Sequence, residues 1–391
     1  MTATHPIGER ECGPCGVCGS GAVDELVEYR GLRRVTSDCR PWPAGGRLGI
    51  CTACGAVQKP ADARFLEEIA AIYEAYAIYH QAQGAEQAVF EQTSGLPASR
   101  SVKLVETFFG RTPLPTNGRV LDVGCGNGAT LRAFARVAPG WRLAGTELND
   151  KYRCDVEAIP NGEPLHVGPV ETLAGTFDVI TLIHALEHMV EPVSFLRSLT
   201  CKLKPGGLLL IEVPHHPDNA FELLIADHRS HFSADTIAVA LVQAGYEAVT
   251  VATDWIAKEL SVVARPRAGT AARASASGVE PAAARRVLEH SLRWLGRVAG
   301  AARSQAAGRP IGLFGTSIAG TWLAGELGDA LGFFVDEDPN RIGKRYLDRP
   351  VLAPADVPAG SSVFVGLPPA VAAGICGRLQ RPGVAYLPPP A

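Results

Sequence analysis

At 391 residues the chain is longer than one ordinary core, which predicts two or three domains. Apolar residues make up 47% and charged residues 20%, a globular balance. The net charge is −3, and no basic run exceeds Arg33-Arg34 or Arg285-Arg286, which excludes a nucleic-acid-binding stripe. No segment approaches the roughly 18 apolar residues of a membrane span, and Met1–Glu11 has no apolar signal core, so the expected location is cytoplasmic with no membrane partner.

Residues 1–62 form the first unit. They hold Cys12, Cys15, Cys18, Cys39, Cys51 and Cys54, in a compartment where paired cysteines serve as metal ligands rather than disulfides. Cys15-Gly-Val-Cys18-Gly and Cys51-Thr-Ala-Cys54-Gly are two knuckles. Two-residue spacing turns both thiolates toward one ion, and the glycine that follows permits the tight turn. Four thiolates make a closed, structural zinc site, with free or redox-active cysteines as the competing reading. Cys12-Gly-Pro-Cys15 overlaps the first knuckle. Cys15 and Cys18 are preferred because they lead into an expected strand, Ala22–Tyr29. Cys39 and Cys12 read as bystanders, although either could replace one of the four.

Residues 62–110 predict helix, since Phe65, Leu66, Ile69, Ile72, Tyr73 and Tyr76 recur at spacings of three and four. From 118 to 265 short apolar runs alternate with helical stretches. The runs are Arg119–Val123, Arg142–Gly145, Phe177–Leu182 and Leu208–Glu212, and the alternation predicts a parallel sheet covered on both faces. The first run enters Asp122-Val-Gly124-Cys125-Gly126-Asn-Gly128 and then a helix, Ala129–Val137. A glycine loop at a strand's carboxyl end lets backbone approach a ligand, a signal that nucleotide-binding proteins share. Asp122 suits a cationic, amine-bearing ligand better than a pyrophosphate. Glu147, at the end of the next strand, stands where an acid accepts from ribose hydroxyls. Lys204-Pro-Gly-Gly207 predicts a late turn before Leu208–Val213.

His184 and His188 follow the fourth strand, His215-His216 follow the fifth, and Asp227-His228-Arg229-Ser230-His231 precedes a helix near Ser233. Any one of them could simply be packed or solvated, but together they converge on one sheet edge, where a near-neutral base is useful. Residues 266–284 are poor in bulky apolar side chains and read as a linker. Residues 285–391 open with an amphipathic helix and hold a second strand, glycine turn and helix at Ile311–Thr321, with a further strand, Phe333–Asp336. That unit reads either as a structural domain completing a cleft or as a direct substrate contact.

Asp-Val-Gly-Cys-Gly-Asn-Gly, Phe177-Asp-Val-Ile180, Leu186-Glu-His-Met189 and Lys-Pro-Gly-Gly together resemble class I S-adenosylmethionine (SAM)-dependent methyltransferases over about residues 100–265. The resemblance implies that Asp122, Gly124, Cys125, Gly126 and Gly128 hold the methionine part, Glu147 the ribose and the Val170 region the adenine, with Leu148 and His184 as further cofactor contacts. The order of cysteine knuckles, Tyr-rich helix, SAM domain, acid-His-x-Ser segment and second Rossmann-like unit resembles the sugar C-methyltransferases that act on nucleotide-linked 4-keto-deoxysugars.

That narrower resemblance implies His228 as general base with Asp227 as its acidic neighbour. It implies His188 as a stabiliser of an enolate oxygen, and a tyrosine, Tyr76 before Tyr79, at the sugar. Ile225 stands where the family tends to place a tyrosine, and His231 and Arg229 also depart from it. The expected fold is α/β: a small zinc-binding domain (1–62), a helical lead-in with a doubly wound Rossmann-like methyltransferase domain (63–265), a linker (266–284) and a second Rossmann-like domain (285–391). The expected function is C-methylation of a nucleotide-linked keto-deoxysugar by enolate formation. O-methylation of a sugar or another small metabolite is the alternative, and a non-catalytic SAM-binding module is a third reading.

Overall fold

A computed structural model describes residues 13–76, 88–90, 97–267 and 280–391. Cys12 and Tyr79 lie outside the described residues. Among the described residues no helix is long and apolar enough to cross a membrane.

In the N-terminal unit Val23–Glu25 pairs antiparallel with Gly49–Cys51, which pairs with Val57–Gln58. The expected strand Ala22–Tyr29 stops at Glu25, and Val27–Gly31 is a 3₁₀ turn instead. The turn carries the fully buried Tyr29 inward, where its hydroxyl donates to the Leu223 carbonyl at 2.7 Å. A hairpin, Arg34–Val35 with Pro41–Trp42, fills the gap between the knuckles. From it the buried Arg34 forks onto Glu68, at 2.7 and 2.6 Å, tying the unit to the next helix.

That helix runs Ala63–Glu74, with Asp62 accepting from the Phe65 amide at its start. The helical expectation across 62–110 fails in its middle. Residues 88–90 pair with Pro97–Ser99 as a hairpin, and a second helix, Arg100–Arg111, begins from a Ser99 cap. Pro97 lacks the amide that an interior helical position must donate.

The central sheet has seven strands in the order His166–Val167, Arg142–Glu147, Arg119–Val123, Phe177–Ile183, Leu203–Pro214, Glu259–Pro266 and Tyr246–Ala252. Only Glu259–Pro266 runs against the rest. Val120, Val179 and Leu210 pack on one face with Leu104 and Phe134, while Leu121, Ile180 and Leu209 pack on the other with Leu196 and Ile237. Burial of both faces is why these strands read as continuous apolar runs. Lys204–Gly207 lies within the long strand Leu203–Pro214 rather than as a turn before it, and the pairing slips there between Phe177 and Val179.

The C-terminal unit begins with the helix Pro281–Gln305, whose proline at its start fixes φ for the helix. Its six strands order as Arg345–Tyr346, Arg349–Leu352, Leu331–Val335, Ile311–Phe314, Ser362–Phe364 and Ala385–Leu387, a second mostly parallel sheet.

The segment after the long strand joins all three units. Phe221 stacks edge-on to Trp294 and Trp322 of the C-terminal core, at 5.4 and 5.9 Å. Ten residues on, Ser230–His231 pairs with Val57–Gln58 and becomes the fourth strand of the N-terminal sheet. Tyr29→Phe strands the buried Leu223 carbonyl on this seam, so unfolding stability should fall by about 1–2 kcal/mol in denaturant titration. An unchanged midpoint would show that the bond contributes nothing.

Candidate functional site

The parallel strands end at a cavity of about 1560 Å³ that draws on all three units, from Ser37 and Cys39 through the Gly124–Asn127 loop to Ser317 and Arg341. Open α/β sheets bind ligands at this carboxyl edge. Gly124, Gly126 and Gly128 have φ of 70°, 53° and 82°, left-handed conformations that a side chain would strain. A Cβ on Gly128 would also come within 2.7 Å of Ile159. The buried Asp122 accepts from Thr181 Oγ1 at 2.6 Å. Burial raises its pKa to about 7, with the Thr181 hydroxyl pulling the other way.

Glu147 sits at the end of its strand. Its carboxylate accepts from the Gly126 amide at 2.6 Å and the Leu148 amide at 3.1 Å, so the acid reaches the glycine loop itself. Leu148 is exposed at the rim, Val170 is a buried wall, and both line the cavity. Cys125 is a packed thiol, since a Cβ on Gly145 would sit 2.7 Å from its sulfur.

His184 lines the cavity in a left-handed backbone conformation, φ 51°. Its ring is held by charged groups: Glu187 Oε1 at 3.2 Å and Arg100, which also reaches Glu212 at 2.5 Å. Burial, followed by the Arg100 charge, keeps the imidazole neutral by lowering its pKa.

His188, His228 and His231 come together, but with different acids, whereas His215 pairs with Asp218 and neither it nor His216 lines the cavity. His228 Nδ1 lies 2.7 Å from Glu222 Oε1, and the same oxygen lies 3.0 Å from His231 Nδ1. The Asp227 carboxylate does not take the His228 ring. It accepts from the Ser37 amide at 2.8 Å and hydroxyl at 2.5 Å, and lies 3.5 Å from His188. The pairing of Asp227 with His228 is therefore corrected. Asp227 lies in a turn that carries its carboxylate to Ser37, whereas Glu222 reaches the imidazole from a 3₁₀ turn. His188 and His228 meet edge to face at 4.6 Å. Burial lowers their pKa values to about 4 and about 3, so both are neutral at ordinary pH.

The tyrosine on this cluster is Tyr73, whose hydroxyl lies 2.9 Å from His188 Nδ1. Tyr76 lines the cavity and packs on Tyr73 at 5.8 Å. Helical spacing marked both residues but could not tell which one faces the histidine. No sequence pattern flagged Glu222 or the buried Lys59, whose Nζ lies 2.9 Å from His231 Nε2.

Away from the cavity, Cys15, Cys18, Cys51 and Cys54 gather with all four sulfurs within 4.8 Å. Cys15 to Cys54 is 3.7 Å and Cys18 to Cys51 is 3.6 Å. A tetrahedral zinc with bonds of about 2.3 Å would set sulfurs about 3.7 Å apart. Cys18 and Val17 turn their amides toward Cys15 Sγ, and Gly19 and Gly55 supply the left-handed turns. Cys39 stands elsewhere, with its carbonyl accepting from Tyr346 at 2.5 Å.

Residues 96–251 match the family described as "Methyltransferase domain". The chain is 32% identical over 119 residues to a ubiquinone biosynthesis O-methyltransferase of Xanthomonas axonopodis pv. citri, covering 28% of this chain and 49% of that one. It is 32% identical over 115 residues to the corresponding protein of Ralstonia nicotianae, covering 27% and 48%. The chain thus spans about half the length of these relatives. Among solved structures, the mitomycin 7-O-methyltransferase MmcR aligns with a TM-score of 0.38 at 18% identity, covering 52% of this chain and 68% of that one. The CcbJ methyltransferase from Streptomyces caelestis aligns with a TM-score of 0.36 at 16% identity, covering 44% and 97%. Residues 96–251 are therefore similar to a methyltransferase domain.

The buried Asp122 supplies a pH test. Its raised pKa means that the carboxyl is neutral below about pH 7 and ionised above it. A cationic ligand needs the ionised form, so SAM affinity by calorimetry should fall about tenfold from pH 8 to pH 6. Asp122→Asn should bind weakly at both pH values and lose the dependence.

Proposed function

We propose that this chain transfers a methyl group from SAM to a small-molecule acceptor, with His228 as the base that removes the acceptor's proton. One observation carries this reading: a buried, neutral imidazole lines the same cavity as the glycine loop, with Nδ1 taken by Glu222 and Nε2 left for a ligand.

The cofactor fits the residues present. The left-handed glycines leave a cradle without Cβ atoms, Asp122 offers a carboxylate to an ammonium, and Glu147 offers one to a diol. Bound SAM supplies an electrophilic methyl on a cationic sulfur. His228 Nε2 would take the proton of the acceptor, leaving the acceptor's electron pair free for the methyl group that bound SAM would supply with its thioether as leaving group. The proton stays on the imidazole, which an ionised Glu222 would stabilise. Burial keeps water from competing for the methyl group.

A hydroxyl acceptor is the leading reading, supported by the O-methyltransferase names of the relatives. The carbon-acceptor reading, with a nucleotide-linked ketosugar as substrate, has its own support in Tyr73 and His188. That polar pair stands beside the base, where an enolate oxygen would need a partner. The cavity is larger than the roughly 300–1,000 Å³ of common small-molecule sites, which leaves space for an acceptor beside the cofactor.

The same reading assigns a structural zinc to Cys15, Cys18, Cys51 and Cys54. The sulfur spacings and the absence of an open fourth position among the ligands support it.

His228→Asn should keep SAM affinity while kcat falls by about 10²–10⁴. Full activity in that variant would remove His228 from the mechanism. Deuterium exchange from a carbon beside a ketone, in the absence of methyl transfer, would select the carbon acceptor over the hydroxyl. Metal analysis of purified protein should find one zinc per chain, lost in Cys51→Ser, and a metal-free, folded wild type would refute the zinc assignment.

A further inference from the structure

Lys59, from the N-terminal unit, is buried against the base segment. A lysine ammonium has three N–H donors and no acceptor. Here each meets one acceptor: the Ile225 carbonyl at 2.6 Å, the His228 carbonyl at 2.8 Å and His231 Nε2 at 2.9 Å. The donor count fixes the next proton. His231 accepts at Nε2, so its single proton sits on Nδ1 and donates to Glu222 Oε1 at 3.0 Å. The same oxygen, if ionised, accepts from His228 Nδ1–H at 2.7 Å. That leaves the lone pair of His228 on Nε2, the nitrogen available to the cavity.

Lys59 is also the counter-charge of the Glu222 carboxylate. Burial pushes Glu222 well above the usual carboxylate range, Asp227 adds to the push, and Lys59 is the charge opposing it. Without Lys59, Glu222 would take a proton and donate to His228 Nδ1. The imidazole proton would then sit on Nε2, where it blocks the base.

We propose that Lys59 is a positioning residue that sets the tautomer of His228 through His231 and Glu222, making the cysteine-knuckle unit part of the proton-transfer apparatus. This rests on the methyl-transfer reading only for its kinetic consequence. Physical continuity runs from the knuckle to the lysine. The Gly16 amide donates to Gln58 Oε1 at 2.9 Å, Gln58 donates to the Pro14 carbonyl, and Gln58 pairs in register with Ser230. Glu222, His228 and His231 could also surround a small cation, but the lysine ammonium already supplies the positive charge on their far side.

Lys59 is faced by His231, His228 and Glu222, with Asp227, Glu68, Arg34 and Arg229 nearby. Burial lowers its pKa to about 7. The relay needs Lys59 charged, which is lost as pH rises through about 7, and Glu222 ionised, which its raised pKa opposes as pH falls.

Long-range ¹H–¹⁵N correlation of the wild-type histidines at pH 6.5 should show protons on Nδ1 of both His228 and His231. Lys59→Met should keep SAM affinity within about twofold and lower kcat by about 100-fold at pH 6.5. Its deficit should narrow as pH rises and Glu222 ionises unaided, and at pH 6.5 its His228 proton should move to Nε2. A wild-type His228 with its proton on Nε2 overturns the proposal even if the variant does not fold. So does a folded Lys59→Met with kcat within about threefold of wild type and the same pH profile, or a stoichiometric divalent ion bound by Glu222, His228 and His231. Failure of wild type to methylate any acceptor would instead refute the functional reading and leave the tautomer assignment standing.

Discussion

Residues 220–232 are held from two sides, and the candidate site depends on that double anchorage. Phe221 is sunk among Trp294 and Trp322 of the C-terminal core. Ser230–His231 is paired into the N-terminal sheet, Ala226 donates to the Val35 carbonyl, and Arg229 donates to the Glu187 carbonyl. The segment between these points carries Glu222, Asp227 and His228. A loop fixed only at its ends would let these side chains sample many rotamers, whereas bonds along its length leave one arrangement.

The arrangement buries several ionisable groups, which is costly unless each finds a partner. Lys59 reaches three acceptors, Asp227 accepts twice from Ser37, and Arg34 forks onto Glu68. Glu222 is less well served: Oε1 lies 2.7 and 3.0 Å from two imidazoles, while Oε2 has no hydrogen-bond partner among the described residues. A carboxylate held this way responds to the nearest charge, so its protonation is set by neighbours rather than by solvent.

The cofactor side follows a simpler rule. Alternating side chains seal both faces of the central sheet, and the strand ends are left to carry polar groups at the cavity. Asp122 and Glu147 end adjacent parallel strands, so two acids fall at neighbouring places along one edge with the glycine loop between them. The N-terminal and C-terminal units close this edge from outside, contributing Ser37 and Arg341 to walls that the central sheet does not build alone.

What the residues determined by themselves is local. Two-residue cysteine spacing brought four sulfurs together, the glycine loop took left-handed turns, and apolar alternation built the parallel sheet, because each rests on short-range geometry. The cluster at the sheet edge was legible too, since strand ends in a parallel sheet share one side. The partners within it were not. Lys59 and His231 are 172 residues apart, Tyr73 and His188 are 115 apart, and the pairing of 88–90 with Pro97–Ser99 interrupts a pattern that reads as helix. Asp227 stood next to His228 in the chain, yet its turn carried it to Ser37 and the imidazole met Glu222. Adjacency in sequence is not proximity of side chains. Which acid meets which base was decided only when the outer units gripped the segment between them.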